Sequence, residues 1–579
     1  MVFKSFVLVQ KLFKWILILL FVKDKIMQEK YKVGKNIKQN YKKNFSRNFN
    51  SKQKFVKSPS LNENISEKKI EDISGIKETV SVTAHVNKVV QTGGPTVFVV
   101  SDGTGNLSLK GFIKPGVRAY PEIVEGLIIR AVVEIGEFQG EIEGEIKSIR
   151  VLDEANKKHF LESMREIEKK RAKVIAPNFL VENNILVKLR NSFIEAATQI
   201  RLAIIQDRPV IVRHHNDTDG YSSGFALERA ILPLIEKQHS SEKAEWEFFT
   251  RAPCAAPFYE IDDSIRDMAI SLRNVAKHSN KMPLIIIADN GSSPEDLMGI
   301  KQGKIHGADF IVIDHHYFDK DVISEEVLVH INPFLVGEDG AKFSAGMLCA
   351  ELARFVNPDI KNIEQIPALA GFADRIDIAN PELMNKYLKI AQTQGYTKEL
   401  LSDISLVIDY VSSKVRFMEV REYIEVLFGE PRDKQKHLVG LMAPYIRELD
   451  KKGFKIGKSN AKLEKIGNVN LQVLYFEEFF PGFGFFPKPG RIVGLVHDSL
   501  QEEKGITNLI TAGVMATAIT IRATDESNFS VHELIHFLDK KIPEAFVEGG
   551  GHKNAGSINF LPNKQKQVFE LLKEFIKGR

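Results

Sequence analysis

Apolar and polar residues alternate along the chain in ways that change character several times. From Glu71 to Asp153 the period is two. "TVSVTAHVNKVV" predicts one strand, and "TVFVVSDGTGNLSLKGF" predicts two strands around an Asp-Gly/Thr-Gly turn. "GLIIRAVVEIGEFQGEIEGEIKSIRVL" continues in short strands punctuated by glycine. About five short strands in this span predict a small closed barrel of the OB type, with another small β-barrel or sandwich as the alternative. From Asn156 to Gln206 the period becomes helical, in "KKHFLESMREIEKKRAK" and "LVKLRNSFIEAATQIRLAII". From Arg208 to about Asn380 apolar strands alternate with helical stretches, which predicts a parallel sheet with crossover helices. From Pro381 to Asp450 the pattern is mostly helical. The remainder mixes predicted strands ("NVNLQVLYF", "RIVGLVH", "GVMATAITIRA") with predicted helices ("SVHELIHFLDKK", "NKQKQVFELLKEFIKG"). No internal repeat emerges.

Length and charge refine this picture. A chain of 579 residues is expected to form two to four domains. The net charge of +5 is small, but Lys23 to Lys57 is dense in Lys, Asn and Gln and has few acids. That stretch has too little apolar surface to fold and is expected to be a disordered basic tail, either attracting polyanions or acting as a solvated linker. The first residues, "MVFKSFVLVQKLFKWILILLFVKDK", hold an apolar run about half the ~20 residues that a membrane span needs. No small residues mark a cleavage site. The favoured reading is a mis-assigned start, with Met27 the true one; an amphipathic membrane contact and a poor signal peptide are the others. No stable membrane span is expected. Only two cysteines occur, Cys254 and Cys349, neither in a CxxC pattern, which argues against a disulfide scaffold or a cysteine zinc site.

The chemistry concentrates where three buried strands are predicted to end. "VIVRHHNDTDGYSSG" stops an apolar run at His215, Asp217 and Asp219. "MPLIIIADNGSS" stops at Asp289, and "ADFIVIDHHYFD" at Asp314, His315 and His316. Asp374, in "PALAGFADRIDIAN", is a fourth candidate, with Asp377 close by. Open parallel sheets gather ligands at the carboxyl ends of their strands. So many acids at one edge repel one another unless cations intervene. Mixed carboxylate and imidazole donors suit Mn²⁺ or Mg²⁺, and two such ions about 3.5–4 Å apart are an arrangement for phosphoester hydrolysis. An EF-hand reading of the first motif fails, because Ala226 stands where its twelfth-position Glu belongs.

"HHNDTDG", "ADNG" and "DHH" in this order, followed by "GGGHKNAGS", resemble the DHH phosphoesterase superfamily with its C-terminal DHHA1 domain. "RPVIVRHHNDTDGYSSGFALERAILPLI" and "RAPCAAPFYEIDD" are similar to archaeal RecJ-like exonucleases that carry an OB-type domain in front. The resemblance runs from about Glu71 to the C-terminus. It implies an α/β protein with a parallel-sheet DHH domain and a mixed α/β DHHA1 domain behind a small OB-type barrel. The expected division is a basic segment at 1–70, the barrel at 71–155, a helical linker at 156–206, the DHH catalytic domain at 207–380, a helical connector at 381–450 and the DHHA1 substrate-binding domain at 451–579. No cysteine-rich zinc module, present in some relatives, is found.

By the same resemblance, His215 and Asp217 hold one metal and Asp219, His315 and Asp374 the other, with Asp289 bridging. Two Mn²⁺ (or Mg²⁺) per site are implied. His316 lies near the scissile phosphate as donor or general acid, and Asp314 orients a histidine. Arg522, Gly549, Gly550, Gly551, His552 and Asn554 contact the substrate, the glycines through close backbone approach or an anion-binding nest. Ser344 and Gly346 stand at a predicted helix start, either near a phosphate or as an ordinary cap. The run "FFPGFGFFPKPG" stacks bases or forms core. The implied protein is a cytoplasmic exonuclease acting on single-stranded DNA or RNA, with replication or repair proteins as partners. Two rivals stand beside it: a phosphodiesterase of short oligonucleotides or cyclic dinucleotides, and a non-catalytic scaffold with the same fold.

Overall fold

The computed structural model describes residues 65–138, 140–239, 244–254, 256–278, 281–415, 421–480 and 487–578. The readings of the N-terminal tail and start lie outside these residues, as does most of the aromatic run after Phe480. No helix among the described residues is long and apolar enough to cross a membrane.

The first strands close into a barrel. β1 (Thr79–Gln91), β2 (Thr96–Ser101), β3 (Asn106–Gly111), β4 (Ile128–Phe138) and β5 (Glu141–Val151) pair in the order β1-β2-β3-β5-β4. The alternation in β1 is the reason: Val80, Val82, Ala84 and Val86 all point inward and are fully buried. The Asp102-Gly103 turn between β2 and β3 is held by the Asp102 carboxylate, which accepts from the amides of Thr104 and Ile70. Two helices follow, Glu154–Ala172 and Asn184–Ile205. The second of these, in the segment expected to be a linker, lays Leu189, Phe193, Ala196, Ala197 and Ile200 into the same core as the parallel sheet.

That sheet comprises β6 (Val210–His214), β7 (Phe249–Pro253), β8 (Leu284–Ala288), β9 (Asp309–Ile313) and β10 (Val329–Ile331), in the order β10-β9-β8-β6-β7 with every neighbour parallel. β6 and β8 are buried along their whole length, which is why they read as unbroken apolar runs. The barrel docks at the amino-terminal edge of this sheet. Asp207, three residues before β6 and in the left-handed region (φ 55°), accepts from Asn87 Nδ2 at 2.6 Å and Asn106 Nδ2 at 2.9 Å. Lys88 pairs with Glu247 just before β7.

Helices Pro381–Thr393, Lys398–Lys414 and Arg432–Asn460 lead to a second sheet, the last of them running through the boundary expected at 450. β11 (Lys462–Ile466), β12 (Val469–Tyr475), β13 (Leu509–Val514), β14 (Ala518–Ala523), β15 (Glu548–His552) and β16 (Ala555–Asn559) pair in the order β11-β12-β13-β14-β16-β15, antiparallel except for β12 with β13. "GVMATAITIRA" therefore spans the end of β13, a turn and β14. "RIVGLVH" is not a strand: it lies in the helix Pro489–Lys504. Pro489 opens that helix, and Ile492, Val493 and Val496 fall on its buried side, so the β-branched run serves a helical stripe.

Candidate metal centre and active-site cleft

The site follows from strand register. His214, Ala288 and Ile313 are paired neighbours across β6, β8 and β9, so the three strands end level. The next residues, His215, Asp289 and Asp314, emerge side by side where the strand order reverses between β6 and β8. Asp217 follows in the same loop, and Asp219 sits in the first turn of the helix Thr218–His239. Asp374 arrives from elsewhere, at the C-terminal end of the helix Ile366–Ala373.

These side chains converge. His215 Nδ1 lies 2.9 Å from Asp217 Oδ2 and 3.6 Å from Asp289 Oδ2. His315 Nε2 lies 3.5 Å from Asp289 Oδ1, 3.5 Å from Asp374 Oδ2 and 3.9 Å from Asp219 Oδ2. Asp289 thus faces both histidines with different oxygens. Its backbone is held at φ 60°, an uncommon conformation for a residue with a side chain. Asp377 does not join the group but pairs with Lys398 at 3.2 Å.

The histidines are held by what lies behind them. His315 Nδ1 is 3.1 Å from the Gly340 carbonyl, which turns Nε2 toward the acids. Asp314 Oδ1 accepts from the His316 amide and lies 2.8 Å from His316 Nδ1, while Oδ2 accepts from the Ser292 amide. Burial alone would raise the Asp314 pKa, but His316 beside it holds it well below the usual carboxylate range. Asn332 Nδ2 donates to the His316 carbonyl and to Ser292 Oγ, tying the loop after β9 to the loop after β8.

Asp219 answers the open reading of Ser344 and Gly346. Its Oδ1 accepts from Ser344 Oγ (2.7 Å) and the Gly346 amide (3.1 Å), and its Oδ2 from the Ala345 amide (3.0 Å). The anion at this helix start is therefore the protein's own carboxylate, not a phosphate.

Charge in the cluster is unbalanced. Burial raises the Asp219 pKa well above the ordinary value, and Asp289 and Asp374 raise it further. Burial likewise lifts Asp374 to about 6. Burial would lower the His215 and His315 pKa values, but the surrounding carboxylates outweigh it and raise both. Asp289 Oδ2 is buried without a hydrogen bond inside the protein. A buried, unbonded carboxylate oxygen facing the His215 imidazole fits a divalent cation. Two overlapping groups, His215–Asp217–Asp289 and Asp289–His315–His316, each bring their donor atoms within 4.8 Å of one another.

The cluster opens into a cleft of about 790 Å³. Its opposite wall is the second sheet, from which Arg522, Gly549, Gly550 and Gly551 face the acids. Gly551 has φ 123°, and a Cβ there would lie 2.6 Å from the Ala555 carbonyl; one on Gly549 would lie 2.3 Å from the Ser557 carbonyl. Gly550 differs, because a Cβ at that position meets nothing. His552 ends β15, and its side chain lies outside the described residues. Asn554 is in the β15–β16 turn, where its Nδ2 donates to Asp525; it does not line the cleft.

Sequence patterns gave no sign of Lys488 or Arg375. Lys488 Nζ reaches across the cleft to the Asn216 carbonyl at 2.9 Å. Burial would raise the Asp217 pKa, but His215, with Lys488 behind it, holds it below the usual carboxylate range. Arg375 pairs with Asp498 at 3.3 Å. Burial lowers the Arg522 pKa, and the nearby Arg375 adds to this, so positive charge is crowded on this wall.

No protein-family model matches the chain. It is 33% identical over 530 residues to an uncharacterised protein of Methanocaldococcus jannaschii, a match covering 86% of this chain and 69% of the relative. A solved DHH domain, described as a member of the S1p family of ribosomal proteins, is 34% identical with a TM-score of 0.68, covering 73% of this chain and 99% of that one. The manganese complex of RecJ from Thermus thermophilus is 14% identical with a TM-score of 0.47, covering 71% of this chain and 59% of that one. With the "DHH" histidines at the end of β9, the acids at the ends of β6 and β8 and a relative above 30% identity along most of its length, the chain belongs to the DHH phosphoesterase superfamily.

Proposed function

We propose that this protein is a two-metal phosphodiesterase that hydrolyses single-stranded DNA or RNA from an end. One observation carries the reading. Asp289 presents one oxygen toward His215 and the other toward His315, at the floor of a cleft whose far wall offers Arg522 and a glycine backbone. In this reading His215, Asp217 and Asp289 hold one divalent cation, and Asp219, His315, Asp374 and Asp289 the other. Bound Mn²⁺ or Mg²⁺ supplies an activated water and neutralises charge on the attacking and leaving oxygens.

The chain's own residues do the rest. Asp314 fixes the His316 ring through Nδ1, leaving Nε2 to donate to a phosphate oxygen or leaving group. Arg522 and the amides of Gly549 to Gly551 hold the phosphate in line. Two walls closing over the acids exclude bulk water, which strengthens each of these contacts. The barrel grips the strand before it reaches the cleft.

The test is purified protein, stripped with chelator and then given Mn²⁺ or Mg²⁺, on end-labelled single- and double-stranded DNA and RNA, with products sized. Metal-dependent release of mononucleotides or short products from single strands is expected. Undiminished hydrolysis by metal-free protein, or no products from any single strand with metal present, would overturn the reading.

A further inference from the structure

The cleft has two unlike ends. Its cations, Arg375, Lys488, Arg491 and Arg522, all belong to β14, to the helix Pro489–Lys504 packed on β13 and β14 or the residue that caps it, or to the residue that pairs with that helix. Two strand steps away, roughly 10 Å across the sheet, is β15. That end is different: Tyr317 and His532 line it, with Glu295 and with Asp319, which lies 3.6 Å from His536 Nδ1, and none of the four cations is there.

Two of these rings come from opposite walls. Tyr317 directly follows His316 and is 38% exposed. Its hydroxyl donates to Asp319 Oδ1 at 2.9 Å, and Phe334 packs against it edge-on, with ring centroids 5.3 Å apart and planes at 85°. The ring is thus fixed in place while part of it stays open. His532, at the start of the helix Val531–Lys541, lies 5.3 Å away by centroid. Its Nε2 is 3.1 Å from the carbonyl of Gly551, the last of the three glycines facing the acids. Burial lowers its pKa.

We infer that Tyr317 and His532 form the subsite for the nucleobase of the terminal nucleotide, with the remaining phosphates lying toward Arg522 and Lys488. This rests on the phosphodiesterase reading above. A fixed, partly open aromatic ring beside His316 suits a base, and the four cations that suit the phosphates lie at the other end of the cleft. Stacking on such a ring tolerates any base, because every base has a π-face.

The experiment compares wild type, Tyr317→Ala, Tyr317→Leu and Tyr317→Phe. Each is given a short single strand with an ordinary terminal nucleotide, and the same strand ending in an abasic residue. Hydrolysis is followed with Mn²⁺, and binding by fluorescence anisotropy in chelator. On the ordinary strand, Tyr317→Ala and Tyr317→Leu should raise KM about 10- to 100-fold with kcat little changed, and Tyr317→Phe should restore it. On the abasic strand, wild type should already be weak and the substitutions should add nothing. Equal losses on both strands, or none on the ordinary one, would overturn the subsite. Base-dependent binding that needs Tyr317, without hydrolysis of either strand, would support the subsite and overturn the phosphodiesterase reading instead.

Discussion

The carboxylate of Asp219 lies 2.7 Å from the hydroxyl of Ser344, 125 residues further along the chain. Together with two amides of the same turn, this contact fixes both oxygens of a residue that faces His315. Ser344→Ala removes one of the three donors and leaves the amides. We expect a fall in activity of about 10-fold, partly recovered at high Mn²⁺, since partners behind a ligand contribute about 10- to 100-fold to affinity or rate. A manganese titration of the rate checks this; an unchanged half-saturating concentration would contradict it.

Asp289→Ala should be far more damaging than loss of any other single acid, because it serves both histidine groups. A loss of at least about 100-fold is expected, together with loss of bound manganese from both proposed positions. Metal analysis beside the rate distinguishes this from Asp314→Asn. That substitution should lower the rate about 10- to 100-fold by releasing His316 while leaving bound manganese unchanged.

Stability should depend on pH and metal together. Asp219 and Asp374 have folded pKa values raised above the usual value of about 4, Asp374 to about 6. Such groups stabilise the metal-free fold when protonated, and that contribution is lost as pH rises through the folded pKa, about 6 for Asp374. His215 and His315, also raised, lose theirs at higher pH still. Divalent cations supply the positive charge that departing protons remove. The rise in Tm on adding Mn²⁺ should therefore be larger at about pH 7.5 than at about pH 5.5. An equal or smaller rise at the higher pH would show that these groups do not hold metal.

The three glycines of the far wall should not behave alike. Gly551→Ala places a side chain at φ 123° against a carbonyl, and Gly549→Ala meets a carbonyl at 2.3 Å. Both should lower Tm, the first by strain on the order of 1–3 kcal/mol. Gly550→Ala has open space and no unusual φ. It should fold normally, and any loss of activity should report a methyl group intruding on the substrate. The sequence treats the three glycines alike; the pairing of β15 with β16 makes Gly549 and Gly551 matter to the fold and leaves Gly550 open on its free side.

On the barrel, Phe112 and Phe138 are 61% and 56% exposed, and Lys110 Nζ lies 4.2 Å over the Phe138 ring. If this face stacks bases, Phe112→Ala with Phe138→Ala should weaken binding of long single strands by about 1–3 kcal/mol per stacked base. Hydrolysis of very short strands should be spared. Equal effects on long and short substrates would argue against it.

Much of the site was readable because each motif ends a strand buried on both faces. An apolar run that halts at His or Asp marks a carboxyl edge, and parallel order brings such edges together. Asp374 was harder to place beside Asp377; the fold separates them, because Asp374 caps the helix Ile366–Ala373 and Asp377 lies in the next short helix, Ile376–Ala379. Lys488 and Arg375 carry no pattern, since their role depends on how two sheets face each other. The helix Pro489–Lys504 was mistaken for a strand because Ile492, Val493 and Val496 are spaced ambiguously in so short a run. Asn554, two residues after "GGGH", was expected to contact the substrate, and the fold places it in the hairpin turn with its Nδ2 in a hydrogen bond to Asp525.

The place where Asp207 holds the barrel has a consequence for substrate length. Asp207 precedes β6 and His215 follows it, so barrel and acids lie at opposite edges of one sheet, roughly 25 Å apart along the strand. A polynucleotide must be several nucleotides long before it can touch both. If the barrel binds the strand as proposed, it would contribute nothing below that threshold, and above it each turnover would begin from a strand already tethered. The sheet would then act as a ruler, favouring repeated trimming of long strands and releasing them once they become too short to span it.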